Sequence, residues 1–269
     1  GCDPLPPREA RRAHARADAI LRAMDTRPPT DPQPRATSAV VVTAESGHPS
    51  GSLQPTVLRR VGGVTLLDRT VKVLREAGVT RIVVVAGYRS QDVAATIQSH
   101  GLPVELVVNP DWPQGTSTSV LAGLERVEED RCLVVTGDQV FEADDVRRLM
   151  AAPGRNVLAV DRDPQGQGDG LGGVPPVRVR TAADGRLLEL AVDLNEYTAV
   201  AAGLSCVHVA DVLAATADAP AMPWAAVRRR MLDDGFEMAT CDVTGLWAAV
   251  DTPDGVRALE RVMWHRYGP

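Results

Sequence analysis

Apolar and polar positions along this chain follow two alternating periods. Residues 39–44 (Ala-Val-Val-Val-Thr-Ala) form a continuous, largely β-branched run, suited to a strand covered on both faces. Leu66, Leu67, Val71 and Leu74 then recur at helical spacing, and Gly78 supplies the stop. Residues 81–86 repeat the strand pattern, with a helix over about 91–99. Residues 104–108 read as a third strand and 117–126 as the next helix. Residues 132–136 are a fourth strand, with a helix near 143–150. This rhythm predicts a parallel sheet with right-handed crossovers and helices on both faces.

The second half has a different pattern. Residues 157–160 read as a strand, and 166–173 hold five glycines among eight residues, the composition of a loop. Residues 177–181 and 187–192 alternate and are joined by Asp184-Gly185, a hairpin signal. Residues 200–209 predict a further strand and 224–232 a helix, with Arg228-Arg229-Arg230 as its solvated face or, alternatively, a patch for phosphate or an acidic partner. Residues 247–250 are a last short strand, where Trp247 reads as strand packing or as a wall of a binding site, and Pro253 opens a closing helix. The expected fold is α/β over residues 38–269: three layers, a mostly parallel mixed sheet with helices on both faces, and an inserted β-hairpin. Residues 1–37 read as a separate extension, a helix over 8–24 and then a Pro-rich linker, with Gly1-Cys2-Asp3 as a trimmed or tagged end.

Charge narrows the function classes. The 269 residues carry 35 acidic and 29 basic side chains, a net charge of −6, and only 3% aromatics. The extension holds seven Arg against five acids, so the predicted domain itself is at −8. Nucleic-acid binding, which needs a basic face and often stacking rings, is therefore not expected. No apolar run approaches the ~20 residues of a membrane span, so a cytoplasmic protein is expected. Cys2, Cys132, Cys206 and Cys241 lack paired metal-ligand spacing, and the five His residues are scattered. Ser46 lacks the Gly-x-Ser-x-Gly elbow of a hydrolase. Lys72 is the one lysine; the other 28 basic residues are arginine.

In an open parallel sheet, ligands bind beyond the carboxyl ends of the strands. Three segments emerge there: 45–60, 109–119 and 137–139. Asp138 follows an apolar strand and a small Gly137. It reads either as a turn or N-cap aspartate or, with Asp251 at another strand end, as a ligand for magnesium that also holds water and phosphate.

These residues resemble a known family. Residues 39–44, then Pro55 and Leu58, Val61-Gly62-Gly63 and Leu66-Leu67-Asp68-Arg69-Thr70 are similar to the opening of the nucleotidyltransferase superfamily. Residues 81–88, Asn109-Pro110-Asp111-Trp112, Gly115 to Val120, Gly137-Asp138-Gln139 and Val250-Asp251-Thr252-Pro253 continue it over about 38–265. The middle resembles molybdenum-cofactor cytidylyltransferases. The second half resembles CTP:inositol-1-phosphate cytidylyltransferases through residues 159–164 and the hairpin. The resemblance implies transfer of a nucleotidyl group from an NTP, CTP being favoured, to a small phosphorylated polyol, sugar or alcohol, with release of pyrophosphate. It implies Mg2+ held by Asp138 and Asp251. Ala44, Gly47, His48, Gly115, Ser117, Ser119 and Gly137 would bind the nucleotide, and the hairpin rim would meet the acceptor.

The family's first loop departs here. Its usual Ala-Ala-Gly-x-Gly-x-x-Arg, followed by Pro-Lys-Pro-Leu, is replaced by Thr43-Ala44-Glu45-Ser46-Gly47-His48-Pro49 and then Pro55-Thr56-Val57-Leu58. Glu45 stands at a glycine, Pro49 at the arginine and Thr56 at the lysine; a second family lysine falls at Val192. Arginine serves phosphate well, so Arg59, Arg60 and Arg162 are expected as substitutes in catalysis. The alternative is a non-catalytic relative that senses a nucleotide or binds a protein partner.

Overall fold

The computed structural model describes residues 36–44, 54–163, 175–250 and 252–267. In chain order the elements are β1 (Ser38–Val42), β2 (Arg60–Val61), β3 (Val64–Thr65), α1 (Leu66–Glu76), β4 (Arg81–Ala86), α2 (Ser90–His100), β5 (Glu105–Val108), α3 (Thr116–Leu124), β6 (Arg131–Thr136), β7 (Gln139–Val140) and α4 (Ala143–Ala151). Then come β8 (Asn156–Asp161), β9 (Arg178–Thr181), β10 (Leu187–Ala191), β11 (Ala199–His208), α5 (Val209–Ala215), α6 (Trp224–Asp233), β12 (Met238–Asp242), β13 (Ala248–Ala249) and α7 (Pro253–Tyr267).

Nine strands make one mixed sheet. Seven follow the order β10-β9-β11-β6-β1-β4-β5, and β8 joins β11 to β12. β6, β1, β4 and β5 run parallel, and β11 runs antiparallel to β6. Alternate residues of the β-branched runs divide between two cores. Val41, Val84 and Val135 face α1, α2 and α4, while Val40, Val83 and Val134 face α3, α5 and α6. This is the expected three-layer α/β architecture, a central strand system buried on both sides. The hairpin at Asp184-Gly185 is also present, as β9 and β10.

Local signals account for the helix positions. In α1 the inward residues Leu66, Leu67, Thr70, Val71 and Leu74 are all buried. Thr65 caps its first turn by accepting from the Asp68 N–H at 3.1 Å, a contact worth about 1 kcal/mol. A third, smaller core joins Val61 and Leu66 to Val140, Leu246, Ala248, Val250 and Leu259. It ties the short ribbons β2–β3 and β7–β13 to α7, beside the ends of the parallel strands.

Two elements escape the sequence pattern. The apolar run that begins in β11 turns helical at Val209, where α5 starts. Strand β12 pairs with β8 although Met-Ala-Thr-Cys-Asp carries little β-branched character. Nor is the arginine run a solvated face. Arg229 and Arg230 form surface ion pairs, but Arg228 is buried with Trp224, Val227 and Met231. The predicted helix at 8–24 and the glycine run at 166–173 lie outside the described residues.

Candidate active site

The parallel strands end on one line. In the register, Val42 stands opposite both Val85 and Thr136, and Ala86 opposite Val108. The ladder continues one step past the strands: Thr43 N–H donates to Val85 O at 2.9 Å, Tyr88 N–H to Ala44 O at 3.0 Å, and Gly137 N–H to Val42 O at 2.9 Å. These bonds set Gly137 beside Thr43 and tie Ala44 to Tyr88. A Cβ on Gly137 would lie 3.0 Å from Val42 O and 3.1 Å from Thr43 Cγ2, so the backbone approach there depends on glycine. The same Cβ would meet Val57 Cγ2 at 3.3 Å, which places the 3-10 turn Thr56–Leu58 against this corner.

Asp138 emerges from that corner half-buried. Its carbonyl accepts from the Val250 N–H at 2.7 Å, the bond that extends the β7–β13 ribbon. Its Oδ1 accepts from Gln139 Nε2 at 2.9 Å. Gln139 Oε1 in turn accepts from the indole N–H of Trp247 at 2.9 Å, and that N–H also points to Ala202 O at 2.8 Å. Both Gln139 and Trp247 are buried. Asp138 Oδ2 has no hydrogen-bond partner among the described residues.

No group of three metal-ligating side chains occurs among the described residues. Magnesium does not require one. It commonly takes one or two carboxylates and fills its octahedron with water and phosphate oxygens. A hard carboxylate oxygen without a donor among the described residues, at the open end of a parallel sheet, fits that chemistry. Asp251, the expected second ligand, lies outside the described residues, next in the chain to Val250. Gly47 and His48 also lie outside them.

The loop after β5 is bonded within itself and to the segment before α6. Asn109 Nδ2 donates to Thr118 Oγ1 and to Ser119 Oγ, both at 2.9 Å. Ser117 N–H donates to Met222 O at 3.0 Å, while its hydroxyl accepts from Met222 N–H at 2.8 Å and donates to Pro220 O. Ser117 and Ser119 are thus buried, the Ser119 hydroxyl held by Asn109 and the Ser117 hydroxyl by Pro220 and Met222. They shape the start of α3 and the Gly115 approach to it. Tyr88 and Trp112 meet edge to face at 5.8 Å on the neighbouring strand ends.

The three candidate arginines occupy different settings. Arg59 follows the 3-10 turn and is buried. Arg60 is exposed on the β2–β3 ribbon, where its Nη1 donates to Gly63 O at 2.7 Å. Arg162 lies past β8, with Nε 2.8 Å from Asp242 Oδ1 and Nη1 3.2 Å from Thr181 Oγ1. Sequence reasoning missed Gln139 and read Trp247 as strand packing or a site wall. The signal available was a lone glycine, Gly203, inside an apolar strand.

Residues 39–190 match the model of the MobA-like NTP transferase domain. The chain is 38% identical over 214 residues to a bifunctional IPC transferase and DIPP synthase of Rubrobacter xylanophilus, covering 78% of this chain and 48% of that protein. A protein of the same description from Thermococcus kodakarensis is 28% identical over 235 residues, covering 84% and 50%. The chain therefore spans about half the length of these curated relatives. Among solved structures, an inositol-1-phosphate CTP transferase from T. maritima superposes with a TM-score of 0.74 at 18% identity, over 86% of this chain and 96% of that one. The likeness establishes the nucleotide-diphospho-sugar transferase fold. No helix among the described residues is long and apolar enough to cross a membrane.

Proposed function

The chain belongs to the MobA-like NTP transferase domain family, and from that premise we propose that it transfers CMP from CTP to a small phosphorylated polyol with release of pyrophosphate. The observation that carries this reading is Asp138, presented at the β6 end by Gly137 with one carboxylate oxygen that has no donor among the described residues. The choice of CTP and of an inositol-phosphate type of acceptor is supported by the names of the relatives above.

In the reaction, an acceptor phosphate oxygen forms a bond to the α-phosphorus of CTP. The bond from that phosphorus to the bridging oxygen breaks, and pyrophosphate carries the charge away. The protein's task is positioning and charge management. Magnesium, when bound, neutralises triphosphate charge and withdraws electrons from the α-phosphate; Asp138 and Asp251 are the residues to hold it. The backbone at Ala44 and Gly137 shapes the floor against which a triphosphate lies. The Asn109 network fixes the loop from Gly115 to Ser119 beside the base and ribose, and Arg59 is the basic residue nearest in sequence to the turn packed on Gly137. The hairpin β9–β10 stands as the acceptor side.

A second reading, a nucleotide-binding relative without turnover, is favoured by specific residues. Thr56 occupies the lysine position, and the guanidinia of Arg60 and Arg162 already serve protein acceptors. Pyrophosphate release across the four NTPs, with inositol 1-phosphate and a panel of sugar and polyol phosphates, separates the two. Turnover with CTP that disappears in Asp138→Ala is the expected result. Silence across the panel, with CTP still raising the melting temperature, supports the second reading.

A further inference from the structure

The proposed function leaves open what aims the Asp138 carboxylate, and the answer lies in a buried chain of polar contacts that converges on it. Trp247 Nε1 donates to Gln139 Oε1 at 2.9 Å, and Gln139 Nε2 donates to Asp138 Oδ1 at 2.9 Å. An indole N–H can only donate, so the amide must turn its oxygen to Trp247 and its NH2 to Asp138. The polarity of the whole chain is set at its buried end. The NH2 group then requires an acceptor, which a carboxylate oxygen supplies. One oxygen of Asp138 is thereby engaged, and Oδ2 is left with no donor among the described residues.

The fold makes room for this chain. Gly203 lies in β11 at φ +67°, where the pairing with β8 shifts register between Ala201 and Ser205. A Cβ there would stand 2.6 Å from Gln139 Cγ and 2.6 Å from Thr136 Oγ1. The kink also turns Ala202 O toward the indole, giving Trp247 a second acceptor at 2.8 Å. Strand β11, ribbon β7–β13 and the Gly137 corner therefore meet around one amide side chain.

We propose that Gln139 is a positioning residue for the nucleotide-bound metal: held by Trp247, it fixes which carboxylate oxygen of Asp138 is offered as ligand. The inference rests on the metal-dependent reading of Asp138 given above. Partners that orient a metal ligand typically contribute 10–100-fold to metal affinity, which sets the scale of the effect.

The test uses Mn2+ as the probe, titrated into the full chain with CTP and followed by electron paramagnetic resonance. Gln139→Met keeps the side-chain length and removes the donor, and Ala202 O still satisfies the indole. The expected result is about tenfold weaker Mn2+ binding in the CTP complex, with a broadened Mn2+ spectrum and a melting temperature close to wild type. Trp247→Phe, a second variant in case the first folds poorly, frees the amide to rotate and is expected to give a smaller loss with the same spectral change. Wild-type affinity and spectrum in folded Gln139→Met would overturn the proposal. Asp138→Asn separates the two levels of the argument. Its loss of Mn2+ binding, with Gln139→Met unchanged, sinks the positioning role alone; Mn2+ binding unaffected by Asp138→Asn sinks the metal reading and the positioning role with it.

Discussion

Arg155 and Asp211 form a two-pronged ion pair, with Nε to Oδ2 and Nη2 to Oδ1 both at 2.7 Å. The pair lies where β8 begins and α5 starts. Asn156 Nδ2 adds a third donor to Asp211 Oδ2 at 2.8 Å, and His208 Nδ1 lies 3.5 Å from Oδ1. Burial alone would raise this carboxyl. His208, Arg155 and Asn156 together outweigh it and hold the group at about 2. A carboxylate depressed in the fold contributes stability above its unfolded value near 4 and loses it as pH falls toward 2. The contribution is of the order of 2 kcal/mol. Asp211→Asn is expected to cost about 3 kcal/mol at pH 7, since it leaves Arg155 unpaired, and to flatten acid unfolding between pH 4 and 2. Urea titrations of both proteins at pH 7, 4 and 2.5 measure it. An unchanged acid limb in the variant would show that Asp211 is not the group responsible.

Arg228 presents the opposite balance. It is buried on the inner face of α6, with its guanidinium 6.0 Å from the Trp224 ring centre. Its Nε and Nη1 find no hydrogen-bond partner among the described residues. Burial lowers its pKa to about 10, so the fold carries the cost of a desolvated charge at neutral pH. Arg228→Met keeps much of the volume and removes that cost. A gain of about 1–3 kcal/mol is expected, read as a rise in melting temperature at pH 7. A base depressed in the fold carries its penalty below the folded value and loses it above, so the gap between variant and wild type should narrow as pH rises past 10. A less stable variant would mean that the guanidinium has a partner in solution.

Gly203→Ala tests the kink in β11. The added methyl meets Gln139 Cγ and Thr136 Oγ1 at 2.6 Å, on a backbone with positive φ that alanine resists. A loss of about 2 kcal/mol is expected, with a larger fractional loss of CTP-dependent turnover than of folded protein. Equal losses in both would assign Gly203 to the fold alone.

Thr56→Lys restores the family's charge at the turn packed on Gly137. Thr56 is half-buried at the start of the 3-10 turn, so a longer side chain has a route to solvent and to phosphate. One charge-assisted hydrogen bond to phosphate is worth roughly 1.5–3 kcal/mol, so CTP affinity should rise about tenfold or more by calorimetry. No change in affinity would show that the nucleotide is bound without addressing this position.

Much of the scaffold was readable because local pattern and tertiary environment agree. The runs at 39–44, 81–86 and 132–136 are apolar and largely β-branched, and both of their faces are in fact buried. Where pairing rather than propensity decides, the pattern is silent. β12 is a strand because β8 offers an open parallel edge, and its own residues do not announce it. α5 carries Val, Ala and Leu that fit the end of β11 equally well. Arg228 reads as surface by charge, and only the helical phase against the sheet turns it inward.

For the site the division follows the same physics. The order of residues alone determined that Asp138 leaves a buried strand through a glycine, and that Glu45 and Thr56 stand where the family it resembles usually carries a glycine and a lysine, because residue identity and local spacing are covalent facts. Tertiary structure alone decided that Trp247, 108 positions from Gln139, sets the orientation of an amide that sets the orientation of a carboxylate. A hydrogen bond reaches about 3 Å. Bringing groups that far apart in the chain to that distance takes the mixed sheet, the kink at Gly203 and the β7–β13 ribbon together.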